Sequence, residues 1–313
     1  TFSKSGISRF EMEPLLEDVD AADSFGGKRE CTKRVRAFEA DWARLQSDEP
    51  GWPSDPVDGK FHNALVSWLR FHRAMLIGEL VPESLRYLRN NPTSDALSAF
   101  DHVIVDEYQD LNKAEQALID LLALNGKQAI VGDIDQSIYS FRHANPEGID
   151  QFNLRHPSTR DETLDACRRC PTRVVAMADA LIRHNHPGEE SPRLRPRAQN
   201  PVGDVHVVQW PSLLDEAAGL AGFVRHLIDD KGYRPGDILV LSPRRLIGYR
   251  IRDEIESLHI PVHSFYHEEA LESDDAQAAL CTLIILADRD DRAALRWWLG
   301  HGSPSWRTGA YSK

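Results

Sequence analysis

The sequence predicts an α/β fold built on a parallel sheet, and two observations carry that prediction. From residue 101 onward, short apolar runs alternate with amphipathic stretches of helical period. Two of those runs, 102–106 and 127–132, stop abruptly in carboxylates, and the amphipathic stretch Lys113 to Leu124 separates them. In an open parallel sheet, ligands sit in the crevice beyond the carboxyl ends of the strands. Asp106, Glu107, Asp110, Asp133 and Gln136 therefore fall along one edge, where a charged ligand and its metal would bind.

The preceding hundred residues read differently. Residues 1–27 are polar and are expected to form an irregular or short helical lead-in closed by Gly26-Gly27. Val35, Phe38, Trp42 and Leu45 recur at three- and four-residue steps, which predicts a helix over 32–46. Pro50, Gly51, Pro53, Pro56 and Gly59 mark 47–59 as a loop. Phe61, Leu65, Trp68, Leu69, His72 and Leu76 place a second helix over 60–78, and Pro82 starts a third that Asn91-Pro92 stops. Residues 1–99 are thus expected to be all-helical.

Beyond the two acid-ended strands, the pattern predicts a strand at 160–164 and helices at 146–154 and 171–184. His184 to Pro201, rich in Pro, Arg, Glu and Asn, reads as a linker. A second α/β unit follows, with strands at 205–210, 238–241 and 261–265 and helices at 213–229 and 246–258. The pattern is helical again from about residue 270, through 280–286 and 295–299. The expected divisions are 1–99, 100–200, 201–270 and 271–313.

The 313 residues are 41% hydrophobic, enough for real cores, and two domains are the default at this length. No run approaches the roughly 18 apolar residues of a membrane span. The N-terminus shows no signal-type segment and no initiator Met, so a fragment or a processed form is expected. Four cysteines do not suggest a disulfide framework, and a cytoplasmic protein without a membrane partner is the expectation. The net charge of −12 argues mildly against a nucleic-acid binder. Local clusters run the other way: Lys28 to Arg36, then Arg168, Arg169 and Arg173, then Arg193, Arg195 and Arg197. Each cluster can also be read as a solvated face.

An apolar strand running straight into Asp-Glu suits nucleoside triphosphate chemistry. One carboxylate holds Mg²⁺ through water, because that ion keeps much of its hydration shell. The next can polarise an attacking water. Asp106-Glu107-Tyr108-Gln109-Asp110 and Val131-Gly132-Asp133-Ile134-Asp135-Gln136-Ser137-Ile138-Tyr139-Ser140-Phe141-Arg142 together resemble motifs II and III of UvrD/Rep/PcrA-type superfamily 1 DNA helicases. The resemblance implies RecA-like parallel sheets, a partial 1A domain and a partial 2A domain, with helical insertions that are 1B-like over 1–99 and the start of 2B over 271–313.

It also implies roles. Asp106 would hold the Mg²⁺ of Mg-ATP, and Glu107 would be the general base. Gln136 would touch the γ-phosphate and report nucleotide state. Tyr139, Phe141 and Arg142 lie where the family meets single-stranded DNA, although core packing is the alternative for both aromatics. Base–aromatic stacking is worth roughly 1–3 kcal/mol per base and is indifferent to sequence. Leu164 to Pro171, followed by Val174-Val175 and Ala180-Leu181-Ile182, resembles motif IV. Arg169 falls on the arginine that reaches the γ-phosphate, and Arg168 stands where the family commonly has a tyrosine stacked on adenine. A guanidinium can also stack on a base. Single-stranded DNA and duplex junctions are the implied substrates, and repair or replication proteins the implied partners.

Cys167-x-x-Cys170 has metal or redox spacing, but zinc needs two more ligands and Cys31 and Cys281 are remote in sequence. The pair is read as two unpaired thiols. There is no Gly-x-x-x-x-Gly-Lys-Ser/Thr in the chain. The family places that phosphate cradle before its 1B region, so it is expected upstream of Thr1, with the late motifs beyond Lys313. The segment alone is then expected to be inactive. Two other readings stay open: a non-catalytic nucleic-acid-binding relative that lost the phosphate loop, and a metal-dependent nuclease using Asp106, Glu107, Asp133 and Asp135.

Overall fold

The computed structural model describes residues 5–8, 10–139, 143–188, 194–264, 271 and 273–311. The chain packs as two units, Thr1–Arg160 with Leu271–Lys313, and Asp161–Ala270.

The first unit rests on a helical core. Its helices are α1 (Met12–Asp23), α2 (Lys28–Ala43) and α3 (Pro56–His72). Leu15, Leu16 and Val19 of α1 join Cys31, Val35, Phe38 and Trp42 of α2 and Phe61, Leu65, Trp68 and Leu69 of α3 in one buried cluster. Each set repeats at three- and four-residue steps, so each helix turns one apolar stripe inward. The lead-in, expected to be irregular or to form a short helix, contains a helix of three turns. The loop expected over 47–59 ends early, because Asp55 caps α3. Its carboxylate accepts from the Val57 and Asp58 amides at 2.7 and 3.1 Å, and Pro56 occupies the first turn, where a missing N–H costs nothing.

The all-helical expectation for 1–99 also fails at one point. Strand β1 (Ser5–Gly6) pairs in parallel with β2 (Ala74–Met75). Helix α4 (Leu80–Asn90) completes the segment. At the far end of the chain, α11 (Asp274–Ala287) and α12 (Arg292–Gly300) return to this core. Arg296, buried on α12, donates to Asp18 of α1 through Nε at 2.8 Å and Nη2 at 2.6 Å, and the Trp68 indole donates to the same carboxylate at 2.9 Å.

The acid-ended strands form as expected. β3 (His102–Val105) and β4 (Lys127–Ile130) pair in parallel, with His102 opposite Lys127 and Val105 opposite Ile130. Helix α5 (Lys113–Leu122) crosses between them. Asn112 caps it reciprocally: its side chain accepts from the Glu115 amide at 3.0 Å, and Glu115 accepts from the Asn112 amide at 2.8 Å. The pair is half-open rather than buried on both faces, with Ile104 77% exposed. The helix expected over 146–154 breaks into α6 (Glu147–Asp150) and α7 (Phe152–Arg155).

In the second unit, β5 (Ala166–Cys167) pairs in parallel with β6 (Arg195–Pro196), so part of the expected linker is strand. Helices α8 (Thr172–Asn185), α9 (Leu213–Asp229) and α10 (Arg245–Ser257) lie where helices were expected. The strand expected over 160–164 does not form. Nor do those over 205–210 and 238–241, and the described part of 261–265 is not a strand either. The alternation is still there: Ile238, Val240, Ile260 and Val262 pack on α9 and α10, while Leu239 and Leu241 are exposed. The period-2 pattern encodes which face is buried, but a strand also requires a hydrogen-bonding neighbour. None pairs with these segments among the described residues. The observed architecture is helical with small parallel sheets.

Asp18→Ala removes the carboxylate that accepts from the buried Arg296 guanidinium. Chemical denaturation of the variant is expected to show a loss of about 3–5 kcal/mol, the usual result of breaking one side of a buried ion pair.

Candidate active site

Because β3 and β4 run parallel, the chain leaves both strands at the same edge. The ladder extends past the strand ends: the Val131 amide donates to the Val105 carbonyl at 2.8 Å, and the Tyr108 amide donates to the Val131 carbonyl at 3.0 Å. Asp106 and Glu107 are thereby set beside Gly132 and Asp133, and all four are exposed. Glu107 adopts a left-handed backbone conformation, φ +53°. For a residue with a long side chain this is strained by of order 1–3 kcal/mol, and such strain gathers at functional sites. The Glu107 amide donates back to the Asp106 carboxylate at 2.9 Å.

Gln109, 1% exposed, connects the two exits. Its amide nitrogen donates to the Glu107 carboxylate at 2.8 Å, and its amide oxygen accepts from the Asp133 backbone N–H at 3.1 Å. Asp133 accepts in turn from the Gln136 side chain at 2.8 Å and from the Asp135 amide at 3.0 Å. A hydrogen-bonded chain therefore runs from Glu107 through Gln109 and Asp133 to Gln136. Gly132 is required for it: a Cβ there would lie 2.7 Å from the Gln109 amide oxygen, 2.8 Å from Ile149 Cδ1 and 3.2 Å from the Tyr108 amide nitrogen.

A second layer holds this one. Tyr108 is fully buried, its ring edge-on to Phe152 at 6.0 Å, and its hydroxyl accepts from Arg155 Nη2 at 3.1 Å. Burial pushes the Tyr108 phenol above its ordinary range, so it stays protonated at neutral pH. Arg155 is tied to Asp120 of α5 by an ion pair. The segment after the second motif is anchored as well. Gln116 of α5 donates to the Asn145 carbonyl at 2.8 Å, and the Asn145 side chain donates back to Gln116 at 2.8 Å.

Asp106, Glu107, Asp133 and Gln136 are thus brought together at one edge. Asp110 sits directly behind, its amide donating to the Glu107 carbonyl at 2.9 Å. Tyr139 follows, partly buried, while Phe141 and Arg142 lie outside the described residues. Arg168 and Arg169 are exposed and belong to the other unit, on the turn after β5. The sequence alone assigned no role to Gln109 or Gly132. A Gln inside a run of acids and a Gly directly after an apolar strand were the available signals, but their meaning depends on the contact between strand exits.

No group of three or more His, Cys, Asp or Glu positioned to hold a metal occurs among the described residues. The donor set at the edge is exposed: Asp106 at one strand end with Glu107 next to it, and Asp133 at the neighbouring exit. That set fits Mg²⁺ held largely through its own waters, and not an ion caged by protein ligands. No described helix is long and apolar enough to cross a membrane.

Residues 37–157 match the UvrD/REP helicase N-terminal domain. An ATP-dependent DNA helicase PcrA from Leuconostoc citreum is 30% identical over 202 residues, 62% of this chain and 26% of that protein. The protein of the same name from Staphylococcus aureus (strain Mu50) is 27% identical over 220 residues, 70% of this chain and 28% of that protein. A third, from Staphylococcus epidermidis (strain RP62A), is 38% identical over 108 residues, 34% of this chain and 14% of that protein. The chain therefore spans well under two thirds of the length of these relatives. The matched domain contains both strand exits and the whole connection from Glu107 to Gln136, and these likenesses support a UvrD/PcrA-like helicase fragment.

Proposed function

We propose that this chain supplies the hydrolytic edge of an ATP-dependent DNA helicase or translocase, which couples Mg-ATP hydrolysis to movement on single-stranded DNA and to duplex unwinding in DNA repair or replication. The observation that carries this reading is the connection from Glu107 through buried Gln109 to Asp133 and Gln136. A general base must be held in one orientation to be effective, and a residue that senses the γ-phosphate must be mechanically joined to it.

In this reading Asp106 holds the hydrated Mg²⁺, which supplies neutralisation of phosphate charge when bound. Glu107 accepts the proton of the attacking water. Its left-handed backbone turns the carboxylate toward Gln109, whose amide N–H fixes one oxygen and leaves the other for that proton. Gln136 contacts the γ-phosphate and, through Asp133, communicates its presence to the strand edge. Arg169 carries a permanently charged fork suited to a γ-phosphate, and Arg168 a guanidinium plane suited to stacking on adenine. Tyr139, Phe141 and Arg142 contact single-stranded DNA, including that at duplex junctions.

Residues 1–99 then correspond to a 1B-like region, 100–200 to part of RecA-like 1A, 201–270 to the start of 2A and 271–313 to the start of 2B. The family's relatives named as ATP-dependent DNA helicases support the substrate assignment. Four unpaired cysteines suit the reducing cytoplasm.

In the full protein, Glu107→Gln is expected to keep ATP and single-strand binding and to lower DNA-stimulated hydrolysis by about 10²–10⁴-fold, the usual weight of a general base. Near-normal turnover in the variant would contradict the assignment of the base, and absence of hydrolysis in the wild type would favour the non-catalytic reading. Gln109→Leu keeps the volume and removes both hydrogen bonds, which leaves the Asp133 N–H without its partner. It is expected to lower kcat with little change in ATP affinity and to cost about 1–3 kcal/mol of stability in urea denaturation.

A further inference from the structure

The Cys167-x-x-Cys170 spacing is closed into one turn by the fold. β5 ends at Cys167, α8 begins at Thr172, and the turn between them carries Arg168 and Arg169. The Cys170 backbone N–H donates to Cys167 Sγ at 3.3 Å. Asn200 clamps the turn from the side, its amide donating to the Cys167 carbonyl at 2.8 Å and to the Cys170 carbonyl at 2.9 Å. Cys170, half-buried, sits on the same turn with its own backbone held against the Cys167 sulfur. Two thiols are thus held side by side on a turn whose backbone is fixed independently of them.

The other two cysteines are placed differently. Cys31 and Cys281 are completely buried, and each is committed as a donor, Cys31 to Asp20 at 3.7 Å and Cys281 to the Ala294 carbonyl at 3.0 Å. Burial pushes their thiols up to about 12 and about 11. Both stay protonated and inert.

We propose that Cys167 and Cys170 form a reversible dithiol–disulfide pair, oxidised by a small peroxide, with Cys167 as the attacking sulfur and Cys170 as the resolving one. Hydrogen bonds account for the direction of attack. The Cys170 amide, chiefly, stabilises the Cys167 thiolate and brings that thiol below its ordinary range, while desolvation and the neighbouring sulfur raise Cys170. Cys167 is 9% exposed, so a small peroxide reaches it more readily than a bulky disulfide does.

In the first step the Cys167 thiolate attacks one peroxide oxygen. An S–O bond forms, the O–O bond breaks, and the departing hydroxide takes a proton to become water. In the second step the Cys170 sulfur attacks Cys167, the S–O bond breaks, a second water leaves with the Cys170 proton, and the S–S bond forms. Two thiols lose two electrons and one peroxide gains them. A dithiol reductant reverses the change. The bridge would stiffen the turn that presents Arg168 and Arg169. Thiol oxidation state can be read whether or not the chain hydrolyses ATP, so failure of one proposal leaves the other standing.

The test is hydrogen peroxide treatment of the reduced, full chain, with peptide mass spectrometry and a free-thiol count. The wild type is expected to lose two of its four thiols to a Cys167–Cys170 bridge and to regain both with dithiothreitol. Cys170→Ser should accumulate a Cys167 sulfenic acid that dimedone captures. Cys167→Ser should slow oxidation of Cys170 by about tenfold, to the rate of an unactivated thiol. Separate oxidation of the two thiols without a bridge in the wild type would overturn the proposal. So would oxidation of Cys31 or Cys281 at the same rate as Cys167. Because the wild-type measurement needs no substitution, misfolding of either variant would not obscure the outcome.

Discussion

The side-chain amide of Gln109 is buried between two strand exits, and the geometry of the edge depends on it. Burying an amide without partners costs several kcal/mol on apolar transfer scales. Here one end is matched to the Glu107 carboxylate and the other to the Asp133 N–H. The cost is offset only when the two exits lie at this separation, so the amide acts as a spacer as well as a link. Gly132 has no side chain because the Gln109 oxygen and the Tyr108 backbone occupy that space. The left-handed turn at Glu107 is the conformation in which its carboxylate meets the amide, and the ladder hydrogen bond from Tyr108 to Val131 holds the chain in that turn.

Everything behind this edge restricts how far it can move. The Asn112–Glu115 cap fixes where α5 begins, and Gln116 on the same helix fixes Asn145. Arg155 reaches the Tyr108 hydroxyl while paired with Asp120. These contacts surround a pair of strands that is itself half-open, so side-chain hydrogen bonds carry much of the positional constraint that a fully covered sheet would supply by packing. The large helical core is separate from these contacts. It joins α1 to α12 through Asp18 and Arg296, residues 278 positions apart in sequence.

The three helices of the second unit were legible in the sequence nearly to the residue, while α2 and α3 of the first unit were offset by several residues. α9 occupies the expected 213–229, and α8 and α10 lie within a residue of expectation at each end, because a periodic stripe and its caps are local properties. α1 was foreseen only as one alternative without bounds, because its acidic residues mask Leu15, Leu16 and Val19 in a composition reading. Strands were legible only where a partner exists. The runs at 205–210 and 238–241 have the right residues, yet pairing is a property of two segments and not of one. The same limit governs the site. Asp106, Glu107 and Gln136 could be chosen from strand-end acids and motif spacing, but the role of Gln109 could not. A buried glutamine bridging two loops looks, in sequence, like any polar residue in a turn.

The central claim is that the strand-end acids serve a Mg²⁺-bound triphosphate. Its most direct test is the affinity of the full protein for ATP, measured by titration calorimetry with and without Mg²⁺, for the wild type and Asp106→Asn. The account predicts that Mg²⁺ tightens binding in the wild type and that the substitution removes this increment while leaving metal-free binding unchanged. An equal Mg²⁺ increment in both proteins would contradict it.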